Sequence, residues 1–276
     1  MNDGYIAVID SGIGGLSVLY ELIKEMPNEK FIYYGDNNNA PYGNRTKRDL
    51  LGLTTDIIVK LSRFKLKGVV LACNTLSTSI LTDLNERFLN LKIFGVFPPV
   101  EILTLRKRKT LLLCTPNTSR LYKNSEFLTV LPMQGLASDI EKNAFNLDIV
   151  DFNKHVISCC DAFNSSLTTF DTTLTTANEN CLAKLQKGSF EVVVLGCTHY
   201  FFIKNKIFNH FQPQMIVRGE TFTAKKVSRE LKYIKSLVKT KGNNILYYGD
   251  CAITNKKIFD LLINNSIKNL KKLQKN

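Results

Sequence analysis

Two stretches constrain this chain more than any others: Gly68-Val-Val-Leu-Ala-Cys-Asn-Thr75 and Glu191-Val-Val-Val-Leu-Gly-Cys-Thr-His199. In each, aliphatic and β-branched residues run into a small residue, then a cysteine, then groups able to cap a helix. That order predicts a short strand that delivers a cysteine to a turn. The rest of the chain reads as a scaffold for bringing Cys73 and Cys197 face to face.

The first part alternates strand and helix. Tyr5-Ile-Ala-Val-Ile9 has strand character and ends at Asp10-Ser-Gly-Ile-Gly-Gly15. Leu16, Leu19, Leu22, Ile23 and Met26 then recur at helical spacing, and Pro27 follows the helix end. Phe31–Tyr34 is a second strand, residues 37–44 form a turn-rich loop, and a helix from about Thr46 to Phe64 leads into the Cys73 strand. This order is that of a parallel sheet covered by helices.

Lys92–Val96 reads as a further strand, and Pro98-Pro99 breaks the pattern. A new series begins with a strand at Thr110–Cys114, a turn at Thr115-Pro-Asn-Thr118 and a helix from about Ser119. Residues 132–190 read as helix and loop, with a Ser/Thr-rich patch at 165–176. After the Cys197 strand come a strand at Met215–Val217, a basic helix over 222–238, a strand at Ile245–Tyr248 and a Lys-rich terminal helix.

Two echoes suggest internal duplication. The cysteine strands resemble each other, and Phe31-Ile-Tyr-Tyr-Gly-Asp36 resembles Ile245-Leu-Tyr-Tyr-Gly-Asp250. The expected architecture is two pseudo-symmetric α/β domains with mostly parallel sheets and an active site in the cleft between them. Residues 1–97 plus 214–276 form the first and residues 98–213 the second. The carboxyl ends of such strands are where these sheets bind ligands.

Composition narrows the function. No apolar run in the 276 residues approaches the roughly 20 needed to span a bilayer. The lead-in Met1-Asn-Asp-Gly-Tyr lacks a basic region followed by an apolar one, so a cytoplasmic protein is expected. The seven cysteines are odd in number and irregularly spaced, which favours reduced thiols over a disulfide framework. His155, Cys159 and Cys160 are the nearest thing to a ligand cluster, but adjacent cysteines suit one metal poorly, and no metal site is expected. The net charge of +13 is concentrated at residues 106–109, 225–241 and 256–275. Without a nucleic-acid motif among those lysines, a solvated surface is the better reading than nucleic-acid binding.

A cysteine where a strand enters a helix feels unpaired N–H groups and the positive end of the helix. Such surroundings favour the thiolate. The same N–H groups, with Asn74, Thr75 and Thr198, can hold a carboxylate. Two facing half-sites of this kind have one natural use. One thiolate removes the α-proton of a clamped amino acid, and the opposing thiol returns a proton to the other face. Asp10 can accept from the substrate ammonium or assist Cys73, and His199 can assist Cys197. Gly12, Gly14 and Gly15 also invite comparison with a dinucleotide loop. There the third glycine would fall at Ser17, and Asp10 would set a carboxylate against the pyrophosphate. A tight turn exposing Asp10 and Ser11 explains the glycines better.

Asp10–Gly15, Tyr34-Gly-Asp36, Pro41-Tyr-Gly43, Ala72–Thr75 and Gly196–His199 together resemble glutamate racemase, of the cofactor-independent aspartate/glutamate racemase group. The resemblance implies a two-domain α/β fold and a two-thiol interconversion of L- and D-glutamate for peptidoglycan precursors, without a cofactor. It makes Cys73 and Cys197 the acid/base pair, assisted by Asp10 and His199. Asp10, Ser11, Tyr42, Gly43, Asn74, Thr75, Thr198 and His199 would bind substrate, with Thr118 a further candidate. Phe201 stands where the family often has proline. A glutamate near the second thiol is usual, and here Asp139 or Glu141 can fill that place. Aspartate racemase of the same group is the alternative, as is a basic binding protein of this fold acting on nucleic acid or a nucleic-acid enzyme. The expected partner is the small-molecule substrate, with neither nucleic acid nor membrane, and the basic helices after residue 225 can line a homodimer or face solvent.

Overall fold

The computed structural model describes residues 4–167, 185–233, 244–249 and 251–273. Most of the Ser/Thr-rich patch, the end of the basic helix, Cys181 and Asp250 lie outside them. In chain order come β1 (Tyr5–Asp10), α1 (Leu16–Glu25), β2 (Lys30–Gly35), α2 (Lys47–Leu61), β3 (Leu66–Leu71), α3 (Asn74–Arg87) and β4 (Ile93–Gly95). Next are α4 (Val100–Leu105), β5 (Thr110–Cys114), α5 (Pro116–Ser119), β6 (Leu128–Pro132), α6 (Leu136–Lys142), α7 (Phe152–Leu167), β7 (Val192–Gly196), α8 (Lys204–Phe211) and β8 (Met215–Arg218). The chain ends with α9 (Glu220–Tyr233), β9 (Asn244–Tyr248) and α10 (Ala252–Leu273). Two compact units result: Met1–Val96 with Glu220–Asn276, and Phe97–Gly219.

The first unit holds a sheet of order β4-β3-β1-β2-β9, with every pairing parallel. Its strands are apolar on both faces. Ala7, Ile9, Ile32, Val69 and Leu71 pack with Leu50, Ile57 and Ile58 of α2 and Leu76, Ile80 and Leu84 of α3. The alternate residues Ile6, Val8, Tyr33 and Val70 are equally buried, and α1 packs against α9. A parallel sheet needs such cover, because crossover helices occupy its faces. Each fully buried aliphatic side chain contributes about 1.5–3 kcal/mol. Thr46 caps α2 by accepting the Asp49 N–H at 3.2 Å, which sets where the helix leading to β3 begins.

The second unit holds a parallel sheet of order β6-β5-β7-β8. Taken in chain order, β1 to β4 and β5 to β8 are arranged alike: fourth, third, first, second in the one, and second, first, third, fourth in the other, which is the same order read from the opposite edge. Cys73 therefore follows the third strand of one sheet and Cys197 the third strand of the other. Asp10 at the end of β1 corresponds in topology to the Thr115–Thr118 turn after β5.

Three features differ from the sequence reading. Phe31–Tyr34 and Ile245–Tyr248 are adjacent strands of one sheet, paired Phe31↔Ile245 through Tyr34↔Tyr248. Their similarity reflects one shared environment instead of equivalent places in two repeats. The helix from Ser119 does not form. α5 ends there, and the Asn124 side chain takes the Val130 N–H at 2.7 Å, turning the chain into β6. β8 pairs with β7 from Val192↔Met215 to Leu195↔Arg218. The chain thus re-enters the first unit at Glu220 and not at residue 214. Among the described residues, no helix is long and apolar enough to cross a membrane.

Gly196 is the last residue of β7 before Cys197. A Cβ there would sit 2.8 Å from Cys114 Cβ and 2.8 Å from Leu112 Cδ1, both on the neighbouring strand. Gly196→Ala is expected to destabilise the protein by about 1–3 kcal/mol through overpacking, read as a lower urea midpoint at unchanged slope.

Candidate active site

In the first unit, β1 and β3 are neighbours, so Asp10 and Cys73 come to the same edge of one sheet. Asp10 is fully buried, and its Oδ1 accepts the Gly12 N–H at 2.9 Å. The first amide of the glycine loop thus closes on a carboxylate. Gly15 is required by space: a Cβ there would lie 2.5 Å from Asp10 Cβ and 2.9 Å from Ala72 Cβ. Ser11 is buried beside it.

Tyr42, in a single tight turn with the half-buried Gly43, is fully buried and donates its hydroxyl to the Asp36 carboxylate. Asp36 is itself fixed, since its N–H donates to Asp10 O at 2.9 Å and its Oδ1 accepts from Asn39 at 3.0 Å. Burial pushes the Tyr42 phenol far up, and the Asp36 hydrogen bond and the charges of Asp36, Cys73 and Asp10 push it further. Tyr42 is thus a neutral donor among groups that carry or can carry negative charge. Asp36 has no assigned role in the sequence reading; the Tyr34-Gly-Asp36 segment is its only signal there.

Cys73 is the N-cap residue of α3, with extended backbone (φ −89°, ψ 124°). Nearly four turns of helix follow, and the positive helix end favours negative charge at this place. Asn74 and Thr75 open the helix and are buried. Asn74 Oδ1 is shielded from solvent and has no hydrogen-bond partner among the described residues, so it is available to accept from a ligand group.

The second half-site is built differently. Cys197 is also extended (φ −144°, ψ 132°), but a 3₁₀ segment, Thr198–Ile203, follows it before α8 begins. The expectation of an α-helix start behind both thiols holds for Cys73 alone. In its place stands a charged relay. Cys197 Sγ lies 3.8 Å from His199 Nδ1, and His199 Nε2 lies 2.6 Å from Glu141 Oε2. Burial alone would lower the His199 pKa. The hydrogen bonds and charges of Cys197 and Glu141 outweigh it and raise the pKa well above the usual range. The imidazolium can then donate to the sulfur through Nδ1 and to the carboxylate through Nε2.

The choice left open in the sequence is resolved by geometry. Glu141 meets His199, whereas Asp139 Oδ2 faces His155 Nε2 at 3.1 Å and Oδ1 accepts from Asn143 at 2.8 Å. Thr118 is fully buried in the turn after β5, where Thr115 Oγ1 accepts its N–H at 3.4 Å. Since β5 pairs with β7, this turn and Thr198 share one sheet edge. Cys114, at the end of β5, has a thiol that burial and the neighbouring Cys197 charge push well up. It stays a neutral packing group. Tyr200 stays a phenol for the same reasons, burial first and the cysteine charges second.

Each unit therefore gathers one set of the residues singled out in the sequence. The first brings together Asp10, Ser11, Tyr42, Gly43, Cys73, Asn74 and Thr75; the second, Thr118, Cys197, Thr198 and His199. Among the described residues, no group of three His, Cys, Asp or Glu side chains is placed to hold a metal ion.

No protein-family model matches the chain. It is 31% identical over 237 residues to a glutamate racemase of Clostridium acetobutylicum, covering 82% of this chain and 83% of the relative. The chain belongs to the glutamate racemase family. In fold it resembles glutamate racemase isoform RacE1 from Bacillus anthracis, with a TM-score of 0.71 at 23% identity over 97% of this chain and 95% of the other. It likewise resembles the glutamate racemase from Francisella tularensis in complex with D-glutamate, with a TM-score of 0.70 at 21% identity over 94% of each chain. Where glutamate racemases often carry proline, Phe201 is stacked beneath the Arg218 guanidinium at 4.4 Å, with the Lys204 ammonium 5.0 Å from the ring. That cation–π packing pins the segment after His199 by a different means.

Glu141→Gln removes one of the groups that hold the proton on His199. The imidazolium should then lose its proton at lower pH, moving the basic limb of the kcat/KM profile toward neutral. Asp139→Asn, which faces His155 instead, should leave that limb in place. Profiles for the two variants check the assignment.

Proposed function

We propose that this chain interconverts L- and D-glutamate, with Cys73 and Cys197 serving opposite faces of one α-carbon. The observation that carries the reading is the pair of strand-end cysteines, each with its own device for handling charge. One has the α3 terminus with Asp10 and Tyr42–Asp36 nearby; the other has His199–Glu141. The family of the chain supports glutamate as the substrate, and the Francisella tularensis relative is described with D-glutamate.

In this mechanism, one cysteine as thiolate takes the α-proton. The electron pair left on carbon spreads into the substrate carboxylate, and the opposite thiol donates its proton to the other face. The net change is inversion at carbon with the two sulfurs exchanging protonation states. The α-proton is only weakly acidic, so general bases supply part of the rate. The remainder comes from orientation and from donors aimed at the developing carboxylate charge, for which Asn74, Thr75 and Thr198 are assigned. Tyr42 and Ser11 complete the polar lining on the Cys73 side, with Thr118 on the Cys197 side. Asp10 receives the substrate ammonium or assists Cys73.

His199 serves Cys197 as a proton-bearing partner, and Glu141 keeps it charged. The 3.8 Å separation of sulfur and nitrogen is loose, and catalytic hydrogen bonds of unliganded sites commonly tighten when substrate binds. The product is D-glutamate for peptidoglycan synthesis, and the compartment we assign is the cytoplasm.

The test is racemisation of each glutamate enantiomer by purified protein, followed by chiral chromatography, beside Cys73→Ser and Cys197→Ser. Wild type should convert both enantiomers, and each variant should lose about 10³-fold or more in kcat. Turnover at the wild-type rate in either variant removes that thiol from the mechanism. Faster turnover of aspartate than of glutamate would move the substrate to the neighbouring racemase class.

A further inference from the structure

The chain leaves the first compact unit after Val96 and re-enters it at Glu220. Both ends are hydrogen-bonded to the loops that carry the first half-site. On the outgoing side, the Val96 N–H is shared between Leu71 O at 3.2 Å and Ser77 Oγ at 2.9 Å. The Ser77 hydroxyl proton in turn faces two acceptors, Leu71 O at 3.1 Å and Cys73 O at 3.0 Å. Those carbonyls bracket the step from β3 into α3. On the returning side, Ser17 Oγ lies 2.9 Å from Gly14 O and 3.1 Å from Glu220 Oε1. Thr223, one turn further along α9, reaches Gly95 O at 3.4 Å. Ser17, Ser77 and Glu220 are all buried, so water does not compete for these bonds.

A serine in a helix commonly bonds back to the carbonyl four residues earlier, and Ser77 to Cys73 O is such a bond. That local habit does not account for the other two contacts. By propensity, alanine would serve α3 better than serine. The hydroxyl also joins the end of β3 to Val96, nineteen positions beyond Ser77 itself. Its position matters because Cys73 has extended backbone at the helix start, and the direction of its Cα–Cβ bond follows from the dihedral angles of that one residue.

We propose that Ser77 is a positioning residue for Cys73: it ties the turn that aims the thiol to the segment on which the chain leaves the unit. Ser17 with Glu220 ties the Asp10 loop to the returning segment. The catalytic part of this inference rests on Cys73 being one of the two proton carriers. The structural part, that Ser77 sets the environment of the Cys73 thiol, does not.

The experiment uses Ser77→Ala and Ser77→Thr in the full chain, with two readouts. The first is racemisation kinetics in both directions. The second is the pH dependence of iodoacetamide alkylation at Cys73 and at Cys197, resolved by peptide mapping. Ser77→Ala should lower kcat about tenfold with KM changed about twofold or less, as expected for a misplaced reacting group. It should change the Cys73 alkylation rate by about threefold or more while Cys197 stays as in wild type. Ser77→Thr, which keeps the hydroxyl, should restore most of both. Equal changes at both thiols, or unchanged Cys73 alkylation and kcat, overturn the proposal. If Ser77→Ala does not fold, Ser77→Thr carries the test: loss of kcat with altered Cys73 alkylation despite the retained hydroxyl would overturn it. If wild type does not turn over glutamate, the family mechanism fails, and the alkylation arm still decides whether Ser77 sets the Cys73 environment.

Discussion

A parallel strand that ends at the start of a turn leaves backbone N–H groups with no partner in the sheet. The two cysteines of the proposed mechanism, and Asp10 and Thr118 beside them, are placed at such ends. β1 delivers Asp10, β3 delivers Cys73, β5 leads to Thr118 and β7 delivers Cys197. The sheets can hold these groups because β1, β3, β5 and β7, the strands that lead to them, are buried along most of their length, so the strand ends are fixed by the core behind them. The glycines at the ends serve the same purpose. Gly15 lets α1 start against Asp10 and Ala72, and Gly196 lets β7 lie close to β5 just before its thiol.

The shared strand order of the two sheets gives the cysteines equivalent places, but their chemical support is unequal. Cys73 sits at the start of a long helix, where fixed dipoles act, with Asp10 and a neutral Tyr42 around it. Cys197 is followed by a 3₁₀ segment, and its support is a titratable pair, His199 and Glu141. A dipole does not change with pH, whereas a histidine held protonated by a carboxylate does. The second half-site therefore adds a titratable partner to its thiol, which the helix end at Cys73 does not.

Much of this was legible in the residues. Strands β1, β2, β3, β5, β7 and β9 follow from apolar runs bounded by turn formers. Asp10, Cys73 and Cys197 stand out by their places at the ends of those runs, whereas Tyr42, Gly43 and Thr118 are singled out by the family resemblance alone. What was not legible has particular causes. Leu128–Pro132 is a short strand with a terminal proline and a polar approach, and only the Asn124–Val130 hydrogen bond shows how the chain turns into it. Phe31–Tyr34 and Ile245–Tyr248 look like copies because neighbouring positions in one sheet select similar side chains. Asp139 and Glu141 could not be told apart because both lie on one short helix two residues apart. At about 100° per residue they point to nearly opposite sides, and the choice depends on where α6 packs. It packs with Glu141 toward the segment after Cys197 and Asp139 toward α7.

The central claim is that two separate thiols handle the two faces of one α-carbon. The most direct measurement is the initial rate of deuterium entry at that carbon in D₂O, followed separately in the remaining substrate and in the product, starting from each enantiomer. Two thiols predict that the product enantiomer carries solvent deuterium from the first turnovers while the remaining substrate stays protiated. Product that retains the original proton, or equal labelling of both pools from the start, would show one base serving both faces and would contradict the account.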